Sequence, residues 1–111
     1  MAFQNITPVK LGQAAIGVTV STLYTVPAST RTFVKDIDIA NTGTSATTAT
    51  VYLVPSAGTA GTSNMLVPGV TIPPSGMFQW TGNQIMNAGD TIQIVAGVVG
   101  CTINASGGEA V

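Results

Sequence analysis

The chain has 111 residues, a net charge of −1 and only 6% charged side chains, where ordinary soluble domains carry about 25%. Three basic residues cannot make the Lys/Arg stripe that dominates nucleic-acid affinity, so no nucleic-acid partner is expected. The absence of His removes the usual general base, the usual metal ligand and every Ser-His or Cys-His nucleophile. This length gives one domain with a single core, and a mean hydropathy of +0.46 on so little charge points to permanent association with other protein surfaces.

Thr, Val and Ile dominate, Leu is scarce, and 13 Gly and 6 Pro punctuate short apolar runs. β-branched side chains suit a pleated surface, so the pattern reads as many short strands and no convincing helix. The expected fold is all-β: a single-domain antiparallel β-sandwich, jelly-roll-like or Ig-like, over residues 9–111, preceded by an extended N-terminal arm over residues 1–8 that closes at Pro8. Phe3 and Ile6 are the arm's docking residues. The arm has neither a basic n-region nor an apolar h-region, and no run is long enough to span a membrane, so no membrane partner is expected.

Strand character runs from Val9 to Gln13 and from Ile16 to Thr25, weakened at Ala14-Ala15 and Gly17, with Ile16, Val18 and Val20 alternating against smaller residues. The turn Val26-Pro27-Ala28-Ser29-Thr30 leads into the longest strand candidate, Arg31 to Asn41. A strict period of two puts Phe33, Ile37 and Ile39 on one side and Asp36 and Asp38 on the other, with Lys35 breaking the apolar side. Arg31 and Lys35 are close enough in sequence to partner the two aspartates. A polar loop from Thr42 to Thr48 then connects to Thr50–Val54, which reads as a hairpin partner of the long strand.

Ser56 to Asn64 is a connector of small residues. Met65-Leu66-Val67 and Val70-Thr71-Ile72 flank Pro68-Gly69, which reads as a turn between two short strands, and Pro73-Pro74-Ser75-Gly76 ends that segment. Met77–Thr81 is the next strand, and Trp80 is read as core. After the turn at Ile85–Asp90, Ile92, Ile94 and Ala96 share one face. Gly97-Val98-Val99-Gly100 reads as a tight hairpin connection to Cys101–Ala105, with Val98 and Val99 at its tip, and Ser106–Val111 as a loose tail.

No motif announces a chemistry. Asp36 and Asp38 project from one strand in like surroundings, unlike the split pair that glycoside hydrolysis needs. The spacing of Asp36, Asp38 and Asp90 matches no calcium loop, so neither a metal nor a cofactor is expected, and no catalytic residue is assigned. The single Cys101 excludes an internal disulfide framework and reads as a buried small hydrophobe.

Tyr24-Thr25-Val26-Pro27-Ala28, the run Thr32 to Gly43 and Asn87-Ala88-Gly89-Asp90-Thr91-Ile92 together resemble small structural proteins of tailed-phage virions, most of all capsid decoration (cement) proteins. The likeness covers roughly residues 20–108 and rests on strand and turn patterns. It implies a non-enzymatic β-sandwich made in the host cytoplasm and seated on the capsid exterior, where it binds the major capsid protein as a homotrimer and bridges capsid subunits. The alternative is a tail or fibre module that binds host surface carbohydrate, which would want exposed aromatics. Phe3, Ile6, Met65, Leu66, Val98 and Val99 are the candidate contact residues.

Overall fold

In a computed structural model, residues 5–111 are described and form eight strands. They are β1 (Ile6–Ala15), β2 (Ser21–Thr25), β3 (Arg31–Asn41), β4 (Thr47–Val54), β5 (Met65–Ile72), β6 (Met77–Met86), β7 (Thr91–Ala96) and β8 (Cys101–Ala110). A single 3₁₀ turn, Thr62–Asn64, is the only helical element among the described residues. The strands build two four-stranded antiparallel sheets, ordered β1-β8-β3-β6 and β2-β7-β4-β5.

Only β4 and β5 are both consecutive and paired; every other connection crosses from one sheet to the other. This is a jelly roll, the eight-stranded double Greek key, and it settles the choice left open by the sequence. The crossings also correct two expected hairpins. β3 and β4 lie in different sheets, as do β7 and β8, so Thr42–Ala46 and Gly97–Gly100 bridge the layers. Local turn signals report that the chain reverses and are silent about which sheet receives it.

The core lies between the sheets and is built of β-branched side chains. Val34, Ile37, Ile39, Val51, Ile92 and Ile103 are completely buried, and Ile92, Ile94 and Ala96 do share the inner face of β7. Cys101 is buried in the same core. On β3 the strict alternation fails. A bulge between Val34 and Asp36 leaves Lys35 unpaired, so Thr32 and Val34 face inward before it, Ile37 and Ile39 after it, and Phe33 moves to the outer face with Asp36 and Asp38. Lys35 breaks the pattern because the strand itself breaks there. A matching bulge in β1 falls at Leu11.

Ser106–Ala110, expected as a tail, is the second half of β8 and is paired on both sides, by β1 and by β3. Its glycines make this possible. A Cβ on Gly107 would fall 1.8 Å from the Phe33 carbonyl oxygen, so only glycine lets β3 approach at the bulge. Pro68-Gly69 is likewise not a turn. β5 runs through it as one irregular edge strand, with Gly69 at φ 61° and register shifts against Ala49, Val51 and Tyr52. The expected strand from Ile16 to Thr25 also breaks: residues 16–20 cross between sheets and only Ser21–Thr25 pairs, on β7. At the other end of this region, Ile6, Thr7 and Pro8 of the segment expected as an arm pair with Ala110, Glu109 and Gly108 as the start of β1.

Candidate interaction surfaces

The outer face of the β1-β8-β3-β6 sheet is arranged in cross-strand rows. Pro8, Gly108, Phe33 and Ile85 are register neighbours in an apolar row, with Ile6 beside Gly108. The next row, Lys10, Ser106, Asp36 and Thr81, is polar, and so is the one after it, Gln13, Asn104, Asp38 and Gln79. The last row, Ala15, Thr102, Ala40 and Met77, returns to small and apolar side chains. A shallow depression of about 520 Å³ lies over the polar rows, lined by Lys10, Lys35, Asp38, Asn104 and Ser106 among others.

Within the polar rows, the Lys10 ammonium donates to Gln13 Oε1 at 3.1 Å, and Gln79 Nε2 donates to Asp36 Oδ1 at 3.4 Å. Asp38 Oδ1 is enclosed without a hydrogen-bond partner, and desolvation, reinforced by the neighbouring Asp36 carboxyl, raises its pKa above the ordinary 3.8. No cluster of three or more metal-ligating side chains occurs among the described residues. Such a face can take up small polar groups by hydrogen bonding.

The two ends of the sandwich are locked differently. At the end where β1 begins, the Tyr24 hydroxyl of β2 donates to the Glu109 carboxylate of β8 and accepts from the Thr32 hydroxyl of β3 at 2.7 Å, which ties one sheet to the other. Burial, together with the bond to Glu109, pushes the Tyr24 pKa up to about 12. At the opposite end, Asn41 is buried and its side chain is fully used. Nδ2 donates to the Ser45 and Ile72 carbonyls at 2.9 and 3.0 Å, and Oδ1 accepts from the Gly43 amide at 2.9 Å. Thr47 Oγ1 accepts from the Val98 amide at 2.9 Å and donates to the Val98 carbonyl at 3.1 Å, fixing the β7–β8 connection.

The candidate contact residues divide between these ends. Ile6, 62% exposed, sits at the first end, and Val98 and Val99, 49% and 68% exposed, sit at the second. Met65 and Leu66 are only half-buried and lie on a flank, in a groove with Leu53, Pro55, Asn64 and Gln84, where Leu66 packs against the core. Phe3 lies outside the described residues. The sequence reading missed Val18 and Val20, exposed beside Val98 and Val99. The Ala96 amide donates to the Gly17 carbonyl and the Ile16 amide to the Cys101 carbonyl, so the two crossings run side by side. Ile85, 56% exposed beside Phe33, was missed as well. The signal that could have found Val18 and Val20 was Gly17, which interrupts the strand.

No family model and no curated protein matches the chain. Among solved structures it is similar to a chain of infectious bursal disease virus, Gx strain, with a TM-score of 0.56 and 13% identity over 96% of this chain and 32% of that one. It is similar to a chain of the T13 particle of the same virus, with a TM-score of 0.52 and 11% identity over 96% and 30%. A chain of the disulfide-linked pili formed by Bacillus endospore appendages gives a TM-score of 0.50 and 14% identity over 95% and 87%. The chain thus spans about a third of the length of the viral chains, and its likeness to all three is one of fold.

Proposed function

We propose that this protein is a non-enzymatic structural component of a virion that binds the outer capsid surface, contacts the major capsid protein and stabilises the shell by bridging its subunits. The observation that carries the reading is the placing of exposed apolar side chains at both ends of a nearly uncharged slab: Ile6 and Ile85 at one, and Val18, Val20, Val98 and Val99 at the other. A body with one sticky end adheres; a body with two can hold two neighbours together. Weak apolar contacts repeated over many identical copies add up through avidity, and binding only to the assembled shell stabilises it by mass action. The viral-particle chains of similar fold support this role by analogy of architecture.

A carbohydrate-binding tail module has less in its favour. The five aromatic side chains among the described residues, Tyr24, Phe33, Tyr52, Phe78 and Trp80, are all at least partly buried, and none offers a free stacking platform. The test is co-sedimentation with shells assembled without this protein. The wild type is expected to pellet with the shells, and the double variant Val98→Ser/Val99→Ser to pellet less completely at the same concentration. A protein that ignores shells yet is retained on host surface polysaccharide would transfer the assignment to the adhesion module.

A further inference from the structure

The two sheets leave four edge strands, and three of them carry features that discourage pairing with another chain. β1 contains Pro8, which lacks an amide hydrogen, and Lys10; β2 has a register shift between Thr22 and Tyr24 inside its five residues; β5 carries Pro68 and the irregularity at Gly69. β6 bulges only at residues 82 and 83 and keeps an unbroken register with β3 over Met77–Thr81. It runs ten residues, Met77–Met86, with no Pro and no charged side chain. The two flanks of the sandwich differ in the same sense. Beside β1, Gly12 packs so closely on Leu23 of β2 that a Cβ there would come within 2.5 Å of the leucine Cγ. On the β6 side, Phe78 and Trp80 pack against the core and are only partly buried.

We propose that β6 is a strand-pairing edge whose occupant is β6 of a second copy of this chain, the two strands antiparallel about a two-fold axis through Gln79. The pairable stretch is Met77–Thr81, which keeps unbroken register with β3, whereas residues 82 and 83 bulge and end it. Centred on Gln79, the stretch is self-complementary. Phe78 of each copy meets Trp80 of the other on the inner face, an aromatic cross-strand pair, while Met77 meets Thr81 and Gln79 meets Gln79 on the outer face.

Charge permits it. β6 is neutral and each copy carries only −1. The nearest like charges, the two Asp38 carboxylates, lie one strand in from each edge, roughly 14 Å apart at ordinary strand spacing and so beyond the Debye length at physiological salt. The pairing joins the two sheets into one continuous eight-stranded sheet and does not depend on the proposed capsid role.

Sedimentation and Trp80 fluorescence, followed from low to high micromolar protein, test the pairing. The wild type is expected to pass from monomer to dimer while the emission of its single tryptophan shifts to the blue as the indole is covered. Gln79→Lys, which sets two ammonium groups together on the axis, is expected to weaken association about tenfold without moving the thermal midpoint. Thr7→Lys, on the β1 edge, is expected to leave association unchanged. Met77→Lys repeats the test should Gln79→Lys fail to fold. A monomer at every concentration, a trimer, or a dimer indifferent to the charge at position 79 would overturn the pairing.

Discussion

At one end of the sandwich, three side chains from three strands, Tyr24, Glu109 and Thr32, bind across the gap between sheets, and the Tyr24 phenol can lose its proton at alkaline pH. At the other, Asn41 and Thr47 do the same work through an amide and a hydroxyl that do not titrate in the accessible range. The difference follows from what must be held. The Tyr24 end joins regular strands of opposite sheets, so a long side chain reaches across. The Asn41 end gathers three irregular segments, the β3–β4 crossing, the end of β5 and Ser75-Gly76, around one residue whose backbone amide and carbonyl bond to Gly76 and Ser75 as well. An amide with two donors and an acceptor suits a hub; a phenol suits a strut.

The comparison predicts unequal costs. Asn41→Ala strips the hub and leaves the buried Ile72 carbonyl without its side-chain donor, so denaturant unfolding is expected to show a loss of about 3 kcal/mol that is the same at every pH. Equal losses at the two ends would break the contrast.

Tyr24→Phe is expected to cost less, about 1–2 kcal/mol, because Glu109 loses one donor while the ring keeps its packing. Its signature is the pH profile. The folded state holds the Tyr24 proton more tightly than the unfolded chain, so the stabilisation is complete below pH 10 and is lost as pH rises through about 12. Unfolding curves for the wild type should show that alkaline step, and those for Tyr24→Phe should show a smaller one. An identical step in both proteins would mean that Tyr24 is not the strut.

Thr47→Val is expected to have the smallest effect, about 1 kcal/mol, since it removes one hydroxyl from the Val98 backbone. It sharpens the comparison because Val98 and Val99 are the candidate contacts. Faster hydrogen exchange confined to residues 97–100, with the Tyr24 end unchanged, would show that the ends open independently.

Much of this organisation was legible before the fold was known. Arg31–Asn41 could be bounded because a proline-led turn and Thr42-Gly43 punctuate it, and Ile92, Ile94 and Ala96 could be assigned one face because β7 has no irregularity among its pairs with β4. What stayed hidden were events with no local signature. The Lys35 bulge reverses the parity of Phe33, yet in sequence it looks like a lysine misplaced on an apolar side. Gly107-Gly108 reads as a frayed tail, because the reason for glycine is the Phe33 carbonyl seventy-odd residues away.

The candidate surface shows the same division. Ile6 stands exposed at the start of β1, and Val98 and Val99 stand exposed on an inter-sheet crossing where a hairpin tip was expected, whereas Val18 and Val20 join the valine end only because two such crossings lie side by side. Their neighbourhood is a property of the jelly roll, and no spacing along the chain encodes it.

Bridging requires that both ends be occupied at once. The most direct test is the melting temperature of shells, assembled without this protein, as it is added back to saturation. Bridging predicts that melting rises with occupancy, and that Ile6→Ser/Ile85→Ser, altered at one end only, still binds through the valines but no longer raises it. If the wild type saturates the shells and their melting temperature does not move, the protein coats the capsid without bridging it, and the account is wrong.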